Sequence, residues 1–203
     1  KDVYRLFVSN ENKPIAAVND VSLGVKENSI FGFLGANGAG KTTLIRMITG
    51  NLPPSSGSIE IFNTKVEDLE EISTIVSVCP QSNSHLFLEL TPKEHFKIYS
   101  LLFQLDQDEV EDIVDDLISG MELNDFEDVP VCQLSFGDAR KLGIALSFFG
   151  PSKLLILDEP TASLDPVACR CVQQMILEYK GEKTFILSTH ILSEAEFKSN
   201  GPI

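Results

Sequence analysis

The chain has 203 residues, enough for one compact unit with an insertion rather than a string of domains. Hydrophobic residues make up 43% and charged residues 23%, a globular composition that excludes wholesale disorder and a fibrous repeat. Sixteen Lys and Arg against thirty Asp and Glu leave a net charge of −14 with no basic patch, which disfavours a nucleic-acid partner.

No apolar run approaches the ~20 residues needed to cross a bilayer. The chain opens at Lys1 and shows no signal peptide. It reads as a piece of a longer protein, so any membrane-spanning segment is expected outside it. Cys79, Cys132, Cys169 and Cys171 form no Cys-x-x-Cys pair, and zinc-ligand spacing is absent. Reduced thiols are the expectation.

In chain order, Val21-Ser-Leu-Gly-Val25 alternates and predicts a half-exposed strand. Ser29 to Leu34 is an apolar run that predicts a buried strand, and it stops at a glycine cluster. Leu44, Ile45 and Ile48 have helical spacing, with Gly50 as the expected C-cap. Turn residues at 51–57 lead into short strands predicted at Ser58 to Phe62 and Ile75 to Cys79. Thr91-Pro-Lys-Glu94 carries a capping Thr, Pro at the first helical position and Glu at the third, so a helix should run to about Phe103.

Val110, Ile113, Val114, Leu117 and Ile118 then mark an amphipathic helix closed by Gly120. No Lys or Arg occurs between Lys97 and Arg140, while Asp and Glu crowd 106–128. That charge run reads as a solvated helix face. Ser135 opens another helix, ended by Gly150-Pro151. Leu154 to Leu157 and Thr184 to Leu187 are continuous apolar runs of the kind found in parallel strands buried on both faces, joined by a helix from Val167 to Tyr179. Strand, helix and strand at this spacing mean right-handed βαβ units and an α/β fold. An α-helical subdomain is inserted at 91–133.

Gly35-Ala-Asn-Gly-Ala-Gly-Lys-Thr42 matches the phosphate-binding loop pattern in the strand-to-helix context that pattern requires. Its glycines let backbone N–H groups fold around a phosphate, and a helix N-terminus adds a favourable dipole. Lys41 can reach the β- and γ-phosphates, and the Thr42 hydroxyl can ligate Mg²⁺. Leu154-Leu-Ile-Leu-Asp-Glu159 puts two carboxylates at the C-terminal end of a buried strand, where parallel sheets present ligand sites. Asp158 suits Mg²⁺ held through water, and Glu159 suits a general base for an attacking water. The alternative is that one carboxylate only caps the turn at Pro160. Gln81, Asp165 and His190 fall in the remaining loops, and each alone reads as structural.

The order of these segments resembles the ABC ATPase family: the phosphate loop, Pro80-Gln81, Leu134-Ser-Phe-Gly-Asp138, Leu157-Asp-Glu-Pro160, Ser163-Leu-Asp165 and Ser188-Thr-His190. The Leu-Ser-x-Gly element before the carboxylate strand discriminates this family from other P-loop proteins. Phe31 to Thr43, Cys79-Pro-Gln81 and Ala139-Arg-Lys-Leu142 look like the eukaryotic lipid-transporter A subfamily. The resemblance implies a P-loop NTPase fold, with a mixed, mainly parallel sheet core over 1–90 and 134–203 and an antiparallel β part at its N-terminus. It implies a nucleotide-binding domain that pairs head to tail with a second one, binds and hydrolyses Mg-ATP at that interface, and powers transport by a transmembrane domain outside this chain, on the cytoplasmic face of a membrane. ATP and Mg²⁺ are the implied cofactors.

Carried onto this chain, Gly35, Asn37, Gly38, Ala39, Gly40, Lys41, Thr42 and Thr43 would hold phosphates and metal. Asp158 would support Mg²⁺, with Gln81 sensing the γ-phosphate and touching metal or water. Glu159 would polarise water and His190 would steady the γ-phosphate. Ser135 and Gly137 would serve the partner's ATP, and Asp165 would sit at the dimer seam. Phe7 would stack on adenine, with Tyr4 as second choice.

Two positions depart from the family pattern. Phe136 replaces a glycine and adds bulk at the seam, and Asp138 replaces a glutamine. A carboxylate ~6 Å from a phosphate charge costs on the order of 3 kcal/mol at an effective dielectric of ~20, so slow turnover at the partner's site is expected. Besides a transporter engine, two readings stand: a soluble ABC ATPase of repair or translation, and a regulatory module that binds ATP and hydrolyses little.

Overall fold

The computed structural model describes residues 1–8 and 12–190; the side chains of 107–109 lie outside that description. Its centre is a four-stranded parallel sheet in the order β3(Ile30–Leu34), β8(Thr184–Thr189), β7(Leu154–Asp158), β6(Val76–Cys79). The strand period of two explains why β7 is apolar throughout. Leu155 and Leu157 join one hydrophobic cluster, with Phe185, Leu142 and Val172. Leu154 and Ile156 join another, with Ile186, Ile45, Ile48 and Ile72. All five β7 residues are buried. β3 pairs only with β8 among the described residues and is half-exposed, which corrects the expected burial of that strand: an edge strand has one neighbour.

The helices cover both faces. α1(Lys41–Ile48) and α2(Leu69–Ile75) supply Ile45, Ile48 and Ile72 to one face. On the other, α5(Phe136–Phe148) and α6(Pro166–Glu178) pack with α3(Pro92–Leu102) and α4(Gln107–Gly120). Phe96, Val110, Val114, Leu117 and Ile118 of the inserted helices share that cluster with Leu142 and Ile144 of α5. From Ala139 to Phe148 every residue of α5 is buried, as a helix enclosed on all sides requires. Two antiparallel pairs complete the fold as separate sheets: β1(Val3–Val8) with β2(Pro14–Val21), and β4(Glu60–Ile61) with β5(Thr64–Lys65). No helix among the described residues is long and apolar enough to cross a membrane.

Three local expectations are corrected. Val21-Ser-Leu-Gly-Val25 is not a strand: β2 ends at Val21, and the alternation beyond it finds no partner strand. The strand expected over Ser58 to Phe62 shrinks to Glu60–Ile61, because the chain turns back through Phe62 and Asn63, both with positive φ. The sequence pattern predicts no helix over 69–75, yet α2 forms there, capped by Asp68, which accepts from the Glu71 N–H. At the end of α1, Thr49 is the C-cap, and Gly50 follows it in the left-handed region with φ 72°.

The capping box at Thr91 forms in full: Glu94 N donates to Thr91 Oγ1 at 3.2 Å, and Thr91 N donates to Glu94 Oε2 at 2.9 Å. Fully buried His95 extends it, donating from Nδ1 to Thr91 O at 2.8 Å and accepting the Phe87 N–H at Nε2 at 2.9 Å. Replacing Thr91 with Ala is expected to destabilise the protein by about 1 kcal/mol in urea unfolding. An unchanged midpoint would deny the cap that role.

Candidate functional site

The parallel strands deliver their C-terminal ends to one edge, and the chemistry-bearing residues gather there. β3 runs into the loop 35–40, which the Gly35 N–H ties to Thr189 O of β8 at 3.4 Å. Gly38 and Gly40 have φ of 81° and 90°. At Gly40 the backbone leaves no alternative: a Cβ there would lie 2.2 Å from the Ala17 carbonyl oxygen. Gly40 is also the N-cap of α1. It offers no side-chain cap, and the first turn holds no acidic residue. Helix-start N–H groups without a side-chain partner form a receptor for an external anion. Asn37, Gly38 and Ala39 are exposed at the loop tip.

Two linked hydrogen-bond chains cross this edge. Thr42 Oγ1 donates to Asp158 Oδ2 at 2.9 Å, and Asp158 Oδ1 accepts from the Ser188 hydroxyl. Lys41 Nζ donates to Gly35 O at 2.6 Å and Ala36 O at 3.3 Å, and lies 3.3 Å from Glu159 Oε1. Glu159 Oε2 meets His190 Nδ1 at 2.6 Å. The Glu159 N–H donates to Ser188 Oγ at 2.9 Å, joining the two chains. Asp158 and Glu159 are 3% and 6% exposed, so these carboxylates depend on protein partners rather than bulk water.

Thr42 and Asp158 present hard oxygen donors. Among the described residues no three His, Cys, Asp or Glu side chains cluster as a metal cage. That donor set fits Mg²⁺, which takes one or two protein oxygens and completes its shell with phosphate and water.

Other predicted residues stand apart from this cluster. Gln81 is exposed, two residues past the end of β6, and takes no part in these hydrogen bonds among the described residues. Ser135 caps α5, accepting the Asp138 N–H at 3.1 Å and donating to Asp138 Oδ2 at 2.6 Å. Gly137 follows in the first turn, and Phe136 is 56% exposed. Asp165 caps α6: backbone N–H groups of Ala168 and Val167 hold its carboxyl below the usual range. Phe7 is half-exposed on β1 with the Arg5 guanidinium 4.9 Å over its ring, and Tyr4 pairs with Ser56.

The charge expected at Asp138 is not a bare one. Its Oδ1 lies 2.9 Å from Lys141 Nζ, an intrahelical i,i+3 pair of opposite charge. Lys141 gave no sign of this role in the sequence beyond its spacing of three. Ser188 was also missed. Its signal is the parallel register, which sets Ser188 opposite Asp158.

The sequence model of the ABC transporter family matches residues 18–162. The ATP-binding cassette sub-family A member 2 of Rattus norvegicus is 42% identical over 187 residues, 92% of this chain and 8% of that protein. The human retinal-specific phospholipid-transporting ATPase ABCA4 is 37% identical over 181 residues, 89% of this chain and 8% of its own length. The mouse glucosylceramide transporter ABCA12 is 36% identical over 188 residues, 91% of this chain and 7% of its own length. The chain thus spans less than a tenth of these relatives.

Among solved structures, a dimeric ATP-binding cassette in a post-hydrolysis state with ADP and Pi superposes with TM-score 0.86 at 25% identity, covering 98% of this chain and 90% of that one. An ATP-binding subunit of an ABC transporter gives TM-score 0.86 at 28% identity over 98% of this chain and 81% of that one. The match over most of the chain, on a fold that collects the phosphate loop and both carboxylates at one edge, shows that this chain belongs to the ABC transporter family and is a P-loop ATPase domain of the sub-family A kind.

Proposed function

We propose that this domain binds and hydrolyses Mg-ATP at a head-to-tail interface with a second ABC nucleotide-binding domain, and that the cycle drives transport by a membrane domain outside this chain. The observation that carries the reading is the pairing of Lys41 and His190 on the two oxygens of Glu159, beside the Thr42–Asp158 hydrogen bond. The loop amides at 35–40 and Lys41 bind the phosphates. Thr42 and Asp158 would hold Mg²⁺, which when bound would supply charge neutralisation at the phosphates. Glu159 accepts the proton of the attacking water, and His190 holds that carboxylate in place. Asp165 lies at the seam, Phe7 faces adenine, and exposed Gln81 relays the state of the site toward the membrane domain. The acidic surface, with net charge −14, suits this better than DNA or ribosome contact. Relatives named for phospholipid and glucosylceramide transport point to a lipid cargo and a place on the cytoplasmic membrane face.

The pairing of Asp138 with Lys141 favours a hydrolysing engine over a weakly active binding module. Mg-ATP turnover by the full-length protein tests the reading. Ser135 caps α5 through Asp138, and in the head-to-tail reading its hydroxyl also serves the partner's nucleotide. A glycine there keeps helix capping to within about a few tenths of a kcal/mol. Ser135→Gly is therefore expected to lower turnover by about tenfold or more, through loss of a hydrogen bond to a charged group. Unchanged turnover would remove the head-to-tail arrangement.

A further inference from the structure

Beneath the carboxylate edge lies a buried cation that the hydrolysis reading does not use. Arg140, in the second turn of α5, is 1% exposed. Its guanidinium donates to four main-chain carbonyls: Nη1 to Pro80 O, Nη2 to Asp158 O at 3.0 Å and Glu159 O at 3.2 Å, and Nε to Pro160 O at 3.3 Å. Three acceptors are consecutive at the end of β7. The fourth lies just past β6 and immediately before Gln81. A buried guanidinium held by carbonyl dipoles is tolerated only where those dipoles are aimed at it. The fork of five N–H donors suits this site, and a lysine ammonium with three donors on one atom could not reproduce it.

The clamp bears on Glu159 directly. Its φ is 49°, a left-handed conformation unfavourable for a residue with a Cβ. Both ends of this residue are pinned. The N–H donates to Ser188 O at 3.2 Å and Ser188 Oγ at 2.9 Å, and the carbonyl accepts from Arg140 Nη2 and from the Ala162 N–H, each at 3.2 Å. In that conformation the carboxylate reaches Lys41 and His190.

We propose that Arg140 is a positioning residue that ties the backbone of Glu159 and the Pro80–Gln81 turn to helix α5 and so holds Glu159 in the conformation from which its carboxylate reaches Lys41 and His190. Its effect on rate rests on the hydrolysis reading, in which Glu159 is the base. The clamp itself does not, and it can be measured without nucleotide.

Arg140→Lys and Arg140→Met in the nucleotide-free full-length protein test it by amide hydrogen exchange and by alkylation of Cys79. Cys79 is fully buried next to Pro80, and burial pushes its thiol up to about 11. The expected result is about tenfold faster exchange over 157–162 and about tenfold faster labelling of Cys79, with α1 and α6 unchanged. Wild-type exchange and labelling at both places would overturn the clamp. So would equal acceleration throughout α1 and α6, which would mark Arg140 as a core residue only. Arg140→Lys retains the charge and carries the test if Arg140→Met does not fold.

In turnover, kcat is expected to fall by about tenfold with KM held within about threefold. Arg140→Lys added to Glu159→Gln should cost nothing further; additive losses would overturn action through Glu159. Absence of turnover in the wild type would remove the hydrolysis reading alone, because exchange and labelling still decide the clamp.

Discussion

Glu159→Gln is expected to reduce Mg-ATP turnover by about 10³-fold, the scale of a lost general base, while leaving nucleotide binding in place. The geometry gives the reason. Glu159 is 6% exposed, and its two oxygens serve different partners, Lys41 Nζ at 3.3 Å and His190 Nδ1 at 2.6 Å. Glutamine keeps the volume and offers one oxygen, but its amide cannot take a proton from water and its NH₂ faces a cationic or donating neighbour. The variant therefore loses the step that needs a base and keeps the loop amides that hold phosphate. Turnover is followed by phosphate release, and binding by equilibrium titration with a fluorescent ATP analogue. Equal rates in variant and wild type would exclude Glu159 as the base, and the Lys41–Glu159 contact would then be an ion pair of the resting domain only.

Lys41→Ala is expected to weaken ATP binding by about 10²-fold, from loss of ~3 kcal/mol of charge-assisted contact. Lys41 is the one cation within contact of both the phosphate loop and Glu159 among the described residues. Its removal also leaves a nearly buried carboxylate short of a partner, so some loss of stability should accompany the loss of affinity. A thermal melt without nucleotide separates the two effects. If affinity is unchanged while the melting temperature falls, Lys41 is structural and the phosphate-binding role of the loop is lost with it. The two variants also differ in kind: Lys41→Ala acts on binding and Glu159→Gln on chemistry, so their effects on KM and kcat should fall on opposite sides.

Local chemistry makes much of this molecule legible in its sequence. Gly35 to Thr42 has one conformational reading because its glycines and the strand-to-helix context restrict it, and Gly40 bears this out with no room for a Cβ. Thr91 to Glu94 announces a helix start through short-range hydrogen bonds, and those bonds form. Leu154 to Leu157 declares burial on both faces by being apolar at odd and even positions alike, and the two faces do enter different clusters. Each of these signals is complete within a few residues. The same locality misled at Val21 to Val25, where alternation is present and a partner strand is not.

Residue types and spacing make this chain an α/β nucleotide-binding domain with a phosphate loop and a carboxylate pair. How those groups are wired depends on contacts between distant segments. The Thr42–Asp158 bond joins residues 116 apart, and the Arg140–Pro80 contact joins residues 60 apart. Ser188 meets Asp158 because parallel strands β7 and β8 pair in that register, and a slip of one residue would turn its hydroxyl to the opposite face. Residue type and spacing specify what a side chain can do. The register of strands specifies which partner it does it with, and that is set by burial of the whole sheet rather than by any short segment.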